Sequence, residues 1–143
     1  MIRQLDHYNI RSFKIAETVR FYCDLLGLRD GEFPGPRAMG AWLYDQTNRP
    51  VVHIIAIDPN DPEAALGRIR ERLSGLGVDV DPARMNGGGA IDHVAFECED
   101  FDGQVAKLTE NGLTYTQSHI PSISLRQVFV NDPNGVTVEL NFR

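Results

Sequence analysis

Residues 90–96 read Ala-Ile-Asp-His-Val-Ala-Phe, and this stretch decides the fold because the chain repeats its plan. A second Asp-His pair, Asp6 and His7, opens a similar run 86 positions before the pair within 90–96. The same spacing separates His53, within VVHII, from Glu139, within VTVEL. Each copy therefore carries one residue of a metal-ligand type near its start and another 46 positions later. This shared offset indicates an internal duplication.

The composition is ordinary for a soluble globular protein, and it argues against nucleic-acid-binding and membrane proteins. The chain has 143 residues, 42% hydrophobic and 24% charged, which is enough for one domain with its own core. A net charge of −6 and a pI near 5.1 argue against nucleic acid or an anionic membrane as the main partner. No apolar run approaches the ~18 residues of a membrane span. With two cysteines and no signal-peptide core, we expect a reduced, cytoplasmic protein.

The first copy, residues 1–57, is predicted to be a short βαβββ unit in which a loop replaces one strand. Ser12 is a plausible N-cap for its helix, and Gly27 sits where a helix needs a left-handed cap. Residues 29–39 contain two glycines and two prolines, so we expect an irregular loop in place of a strand. The predicted strands cover residues 5–10, 41–44 and 51–57.

A connector and a second copy complete the predicted single domain, residues 1–143. The connector, residues 58–89, is expected to hold a surface helix over residues 62–73 and a glycine-rich linker. The second copy, residues 90–143, has a helix whose cap, Gly112, matches the cap of the first copy. Its predicted elements are strands 91–97, 114–116, 125–130 and 136–142 and a helix over 101–110.

Strand alternation decides where the ligand-type residues point. Successive side chains in a strand face opposite sides, so Val94 and Phe96 share one face and His93 lies on the other. Glu139 likewise opposes its apolar neighbours in the last strand. The apolar faces can pack on the helices. We therefore expect His93 and Glu139 on the concave side of a sheet.

Two further motifs extend the pattern to a known family. Residues 21–28 read FYCDLLGL, and residues 129–139 read FVNDPNGVTVE. With the duplicated βαβββ plan and the Asp-His openings, the chain resembles the vicinal oxygen chelate superfamily. That superfamily contains glyoxalase I, bleomycin and fosfomycin resistance proteins, methylmalonyl-CoA epimerase and extradiol dioxygenases. The resemblance covers nearly all of the chain except 58–89, and it implies an α+β fold in which two tandem modules form a half-open, barrel-like mixed sheet with the helices outside.

The resemblance also implies one divalent metal ion per site and a small substrate chelated through adjacent oxygens. Position by position, the implied ligands are His7, His53, His93 and Glu139. Imidazole and carboxylate donors suit Zn²⁺, Ni²⁺, Co²⁺, Mn²⁺ or Fe²⁺, and rigid strands can hold them while leaving positions for substrate. No nucleotide cofactor is expected. Relatives of this size often form homodimers in which each site uses one module of each chain, whereas others close the site within one chain.

The resemblance leaves three functions open, and the first is that of a glyoxalase I-like isomerase or lyase. It would use all four ligands, with Glu139 as the catalytic group that moves a proton between adjacent carbons. His53 departs from the acidic or amide residue that glyoxalase I usually has there. The third alternative is a binding protein like the bleomycin resistance proteins, which sequester a ligand without catalysis.

The second alternative is an extradiol ring-cleaving dioxygenase. It would use His7, His93 and Glu139 as a two-histidine, one-carboxylate set for Fe²⁺. His119 precedes the FVNDP run much as a catalytic-site histidine does in those enzymes. Phe129, however, stands where their signature has tyrosine. His53 would then be a pocket residue.

Four more residues are candidates for substrate binding. Arg126 and Gln127 lie on one predicted strand, so one of them faces the concave side, where an arginine could hold a substrate carboxylate. Trp42 lies 86 positions before residue 128, beside that pair, and is either a pocket or a core residue. Tyr115 and His119 sit in or beside a loop that could cover the site.

Overall fold

The protein is described here by a computed structural model, covering residues 1–78 and 80–143. The chain divides into two compact units, Met1–Met85 and Asn86–Arg143. Each unit contains one four-stranded mixed sheet, and neither sheet, as described, closes on itself. The predicted connector, residues 58–89, includes one position, Asp79, that lies outside the described residues.

The first unit has a βαβββ module followed by a second helix. Its sheet has the order β1-β4-β3-β2, in which β1 runs parallel to β4 and the other pairs are antiparallel. A π-helical turn, Phe21–Leu25, continues the first helix directly. The elements are β1 Tyr8–Ser12, α1 Ile15–Arg20, β2 Arg29–Asp30, β3 Gly40–Tyr44, β4 Pro50–Ala56 and α2 Pro62–Arg72, with 3₁₀ turns at Arg37–Met39 and Pro82–Arg84.

The second unit repeats this topology. Its sheet has the order β5-β8-β7-β6, with β5 parallel to β8 and the other pairs antiparallel. The predicted α+β class and the two tandem βαβββ modules are therefore confirmed. The elements are β5 Val94–Glu97, α3 Phe101–Glu110, β6 Tyr115–Ile120, β7 Leu125–Asn131 and β8 Thr137–Phe142, with a 3₁₀ turn at Pro121–Ile123.

Alternation along the strands separates a packed face from the face that carries the ligand-type residues. In β4, Val52, Ile54 and Ala56 are buried, and α1 contacts β3 and β4. In β8, Val138 and Leu140 are buried in the same way. The face that each sheet turns to its helix is therefore apolar. The opposite face is left for polar side chains.

The helix boundaries differ from the expectation at one end of α1. Ser12 is the last residue of β1, and α1 begins three residues later, so the prediction of Ser12 as N-cap is wrong. The Ser12 hydroxyl instead accepts a hydrogen bond from the Lys14 N–H (2.9 Å) and contacts the Thr18 hydroxyl (3.1 Å). Gly27 and Gly112 both have positive φ, 81° and 69°, as the predicted left-handed caps require.

Helix α2 belongs to the first unit. Its buried residues pack against the end of β4, and Ile55 and Phe13 cover the edge of the same cluster. The predicted helix of the connector therefore packs one face on the core of the first unit. The cluster consists of Ile57, Ala65, Leu66, Ile69 and Val80. Over the described part of the chain, none of the helices has the length and apolar character needed to cross a bilayer.

Candidate functional site

Strand register puts the second ligand-type residue of each unit in equivalent places. His53 in β4 pairs with a residue of the neighbouring parallel strand β1, and Glu139 in β8 does the same with β5. His7 and His93 lie one residue before β1 and β5, outside the strands in which the sequence placed them. In the first unit, the pairing of β1 with β4 begins at Tyr8 and Val52. Two residues before Val52 lies Pro50, which has no backbone N–H to donate to β1.

In the first unit, His53 lies in a stack of three rings. Its ring centroid is 3.6 Å from that of His7 and 4.3 Å from that of Trp42, with interplanar angles of 17° and 12°. Trp42 is the residue directly opposite His53 in the β3–β4 register. Phe33 meets the outer side of Trp42 edge-on at 6.1 Å. The stack fixes the plane of the His53 ring and brings two of the predicted ligands together.

The surroundings of the His53 side chain favour the neutral form that metal binding requires. Burial lowers the pKa of His53, and the charge of His7 lowers it further, while Asp6 and a hydrogen bond to the Pro50 backbone oppose the shift. Because proline has no N–H, that bond runs from the imidazole to the Pro50 carbonyl oxygen. Nε2 is buried and has no hydrogen-bond partner among the described residues, so the bond is made by Nδ1. The neutral ring therefore keeps a bare lone pair on Nε2.

Both histidines that precede a first strand are held by the aspartate before them. Asp6 Oδ2 lies 2.6 Å from His7 Nδ1, and Asp92 Oδ2 lies 2.8 Å from His93 Nδ1. This hydrogen bond lowers the pKa of Asp6. Carboxylates that bind the far nitrogen of an imidazole orient metal-ligating histidines in many proteins. Sequence reasoning used the two Asp-His pairs as landmarks and missed this role for the aspartates.

In the second unit, Glu139 is buried, with 7% of the residue exposed. Its Oε2 lies 3.0 Å from His93 Nε2. Its Oε1 accepts hydrogen bonds from Gln127 Nε2 (2.9 Å) and Asn141 Nδ2 (2.7 Å). The bond to Asp92 and the charge of Glu139 raise the pKa of His93 against the effect of burial. The structure thus brings together His93, Glu139 and Gln127, three of the predicted site residues.

The structure places Arg126 on the opposite face of β7 from Gln127. Its guanidinium lies 3.3 Å above the Phe101 ring of α3 and 3.4 Å from Asp102 Oδ1. Gln127 faces Glu139, so of this pair the glutamine is the residue on the ligand face. Arg126 is a half-exposed residue that packs on a helix.

His119 and Tyr115 also lie on the helix-facing side of their strand. His119 pairs with Arg126 across β6 and β7, and Tyr115 shares its side of β6. The Tyr115 hydroxyl is 2.8 Å from the Thr109 hydroxyl of α3. The structure does not bring these two residues together with Glu139. Their proposed roles stay predictions without support from the geometry.

Sequence reasoning also missed Arg11. It lies in β1 two residues after Asn9, which pairs with His53, so Arg11 shares the His53 face of the sheet. Its Nη1 is buried and has no hydrogen-bond partner within residues 1–78 and 80–143. A buried guanidinium nitrogen is costly unless an acceptor satisfies it. Arg11 therefore provides a cationic group suited to an anionic ligand.

Comparisons with known proteins identify the family of the chain. The family model for the Glyoxalase/Bleomycin resistance protein/Dioxygenase superfamily matches residues 4–140. The chain belongs to this superfamily. No curated protein matches the chain, so the comparisons give no specific activity.

Solved structures of this superfamily have the same fold. A glyoxalase/dioxygenase from Nostoc punctiforme is 18% identical, with 98% of this chain and 90% of that chain covered and a TM-score of 0.69. A lactoylglutathione lyase from Agrobacterium tumefaciens is 16% identical, with 99% and 95% covered and a TM-score of 0.60. A superfamily member from Sphaerobacter thermophilus is 16% identical, with 99% and 98% covered and a TM-score of 0.61. At these identities the likeness shows the fold alone.

Members of the superfamily commonly use a divalent metal ion, and the donor chemistry of this chain fits one. Within neither unit do three or more His, Cys, Asp or Glu side chains of the described residues gather in a metal-binding cluster. Each unit holds one pair of donor side chains, which is His7 with His53 in the first unit and His93 with Glu139 in the second. The buried, unpaired Nε2 of His53 is the strongest sign of fit, because a neutral imidazole nitrogen is a preferred ligand of Zn²⁺, Co²⁺ and Ni²⁺.

Proposed function

We propose that the protein is a divalent-metal-dependent enzyme that moves a proton between adjacent carbons of a small substrate, in the manner of glyoxalase I. The observation that carries this proposal is the buried Glu139 carboxylate, whose Oε2 faces His93 while two amides hold Oε1. A fixed carboxylate on the ligand face is suited to accept and return a proton. His7, His53, His93 and Glu139 are the proposed metal ligands.

Substrate polarisation, proton transfer and orientation of the histidines would be carried out by different groups. A bound divalent ion would polarise adjacent substrate oxygens and make the neighbouring C–H more acidic. Glu139 would take that proton on Oε2 and return it to the next carbon, as a general base and then a general acid. Asp6 and Asp92 would keep the two strand-preceding histidines in one tautomer through their Nδ1 bonds.

Arg11 supports a substrate that carries a negative charge. Its unpaired, buried Nη1 would donate a charge-assisted hydrogen bond to a carboxylate, and such a bond is roughly twice as strong as a neutral one. The residue lies on the same face of the first sheet as His53, two positions further along β1 than the residue paired with His53. We therefore favour acidic 2-oxo or 2-hydroxy compounds, or adducts that carry a carboxylate.

The extradiol alternative would use His7, His93 and Glu139 and leave His53 out of the ligand set. The observation that bears on it is the place of His119, which lies with Arg126 on the helix-facing side of the second sheet. This place reduces the sequence-based support for ring cleavage. A homodimer and a cytoplasmic location remain predictions, and light scattering on the purified protein would measure the first.

The experiment is proton exchange followed by NMR in deuterated buffer. Protein stripped with EDTA and reloaded with Zn²⁺, Ni²⁺, Co²⁺, Mn²⁺ or Fe²⁺ is offered hemithioacetals and acidic 2-hydroxy ketones. We expect metal-dependent incorporation of deuterium at the carbon beside the carbonyl, and its loss in Glu139→Gln. A yellow product from catechols under Fe²⁺ and oxygen would favour ring cleavage instead. Absence of bound metal together with tight ligand binding and no turnover would favour a sequestering protein and overturn the proposal.

A further inference from the structure

The Glu139 carboxylate is held by a closed set of side-chain hydrogen bonds. Gln127 Nε2 donates to Glu139 Oε1 at 2.9 Å and to Asn141 Oδ1 at 3.1 Å. Asn141 Nδ2 in turn donates to the same Oε1 at 2.7 Å. The three side chains therefore form a triangle in which each contacts the other two. We call Gln127 and Asn141 the amide clamp.

The strands fix the geometry of the amide clamp. Gln127 and Asn141 are direct partners in the antiparallel pairing of β7 and β8. Asn141 is two residues after Glu139, so the two side chains stand on the same face of β8. Both amides extend from backbone positions that the β7–β8 ladder fixes opposite each other. The position of Oε1 is thereby tied to the backbone of two strands.

The amide clamp leaves the carboxylate with one available oxygen. An ionised carboxylate oxygen has about two acceptor sites, and both sites of Oε1 are taken by amide N–H groups. Oε2 is therefore the oxygen that remains to bind a metal ion at one acceptor site and a proton at the other. We infer that Gln127 and Asn141 are positioning residues that make Glu139 a ligand through one oxygen and keep Oε2 aimed at the reacting group. This inference rests on the proposed role of Glu139 as a ligand.

In the described part of the first unit there is no counterpart of the amide clamp. The difference follows from the chemistry of the two ligand-type residues, histidine and glutamate. The pair equivalent to Gln127 and Asn141 is Gly40 and Ile55, two residues along from the Trp42–His53 pair. A Cβ at Gly40 would lie 2.1 Å from the Ile54 carbonyl oxygen, so no other side chain fits there. Imidazole presents a single nitrogen to a metal ion and needs no choice between donors. A carboxylate has two oxygens, and the amide clamp occurs only beside the carboxylate.

The test removes the amide donors without adding charge. Gln127→Met and Asn141→Leu keep the approximate side-chain volume and abolish the hydrogen bonds to Oε1. Gln117→Met is the matched control, because Gln117 is an exposed glutamine of β6 that pairs with Val128, on the helix-facing side. Zn²⁺ affinity is measured by competition with a chelating dye, and the visible spectrum of the Co²⁺-loaded protein reports its coordination.

We expect each amide variant to weaken Zn²⁺ binding by about 10- to 100-fold, as the loss of groups that orient a ligand usually does. The Co²⁺ spectrum should change as the carboxylate becomes free to bind through both oxygens. The double variant should cost much less than the product of the single losses, because both amides hold the same oxygen. The control should match the wild-type protein in both measurements.

The outcomes separate this inference from the proposed function. Unchanged Zn²⁺ affinity in Glu139→Gln would remove Glu139 from the ligand set and overturn both. A large loss in Glu139→Gln with wild-type affinity and an unchanged Co²⁺ spectrum in both amide variants would overturn the amide clamp alone. Circular dichroism checks folding. If Gln127→Met does not fold, Gln127→Asn replaces it, since it keeps the amide but shortens its reach by one methylene.

Discussion

Replacing His53 with phenylalanine distinguishes a metal ligand from a structural histidine. Phenylalanine preserves a flat ring between His7 and Trp42 but removes the buried Nε2 that has no partner in the described part of the chain. A buried polar group without a hydrogen bond costs about 1–3 kcal/mol. Phenylalanine also loses the hydrogen bond that Nδ1 makes to the Pro50 carbonyl oxygen, and it is larger than histidine. Because these two costs offset part of the gain, we expect a net increase of about 1 kcal/mol in the free energy of unfolding in EDTA. For a chain of 143 residues this corresponds to a rise of about 4 °C in Tm.

The order of stability should reverse when Zn²⁺ is present. At a free Zn²⁺ concentration of 100 times its Kd, the wild-type protein gains about 2.7 kcal/mol from binding. If His53→Phe binds Zn²⁺ about 10-fold more weakly, it gains only about 1.4 kcal/mol at the same concentration. The wild-type protein then becomes the more stable of the two by about 0.3 kcal/mol. A larger loss of affinity widens this gap.

Thermal unfolding followed by circular dichroism, in EDTA and in buffered Zn²⁺, measures both effects. Trp42 is the only tryptophan and lies on the His53 ring, so quenching of its fluorescence by Ni²⁺ gives the affinity independently. His119→Phe is the control, because His119 is exposed on β6, and it should change stability by less than about 0.5 kcal/mol. A variant that is less stable than wild type in EDTA, yet gains equally from Zn²⁺, would refute the assignment of His53 as a ligand.

Three further predictions concern the second unit. His93→Ala and Glu139→Ala should each lower the metal content of the isolated protein by about 10-fold or more, measured by mass spectrometry of the metals; full retention in either would contradict its assignment. Asp92→Asn should weaken Zn²⁺ binding by about 10-fold through loss of the 2.8 Å bond to His93, measured by dye competition, and an unchanged Kd would count against that role. Burial raises the pKa of Cys98 to about 11 from an ordinary 9.0, so at pH 8 its reaction with a disulfide reagent in a Cys23→Ser background should be about 100-fold slower than in the unfolded chain. Since the folded pKa is the higher one, this thiol's contribution to stability is complete below pH 9 and is lost as the pH rises toward 11.

The repeat offset was enough to predict the duplicated fold and the equivalence of His53 and Glu139. The offset gave the wrong equivalent for Trp42, because adding 86 matches Trp42 with residue 128. The register puts Trp42 opposite His53 and Phe129 opposite Glu139, an offset of 87. The extra residue arises at a bulge between Leu43 and Tyr44, where the β3–β4 pairing shifts by one. A one-residue bulge has no clear signature in a single sequence.

Face assignment was partly within reach of the sequence. Val128 and Val130 are buried two positions apart in β7, so alternation puts Arg126 on their packed face and Gln127 on the other. Asn141 could have been found by the same rule, because it is two positions after Glu139. The hydrogen bonds of the amide clamp could not be predicted, since they depend on which residues of β7 and β8 are direct partners. That pairing is set by the turn between the strands and not by composition.

The edge position of β1 and β5 has a consequence for ion selectivity. His53 and Glu139 lie in strands that are bonded to neighbours on both sides, whereas His7 and His93 precede the outermost strand of each sheet and lie beyond its ladder. Each pair thus combines a donor on an interior strand with a histidine that is held by side-chain contacts and not by the strand ladder. Such a histidine can follow cations of different radius without disturbing the hydrogen bonds of either sheet. Under the proposed function, discrimination among first-row ions would then depend on their own ligand-field preferences and on cellular supply, so protein from growth media of different metal content should carry different ions.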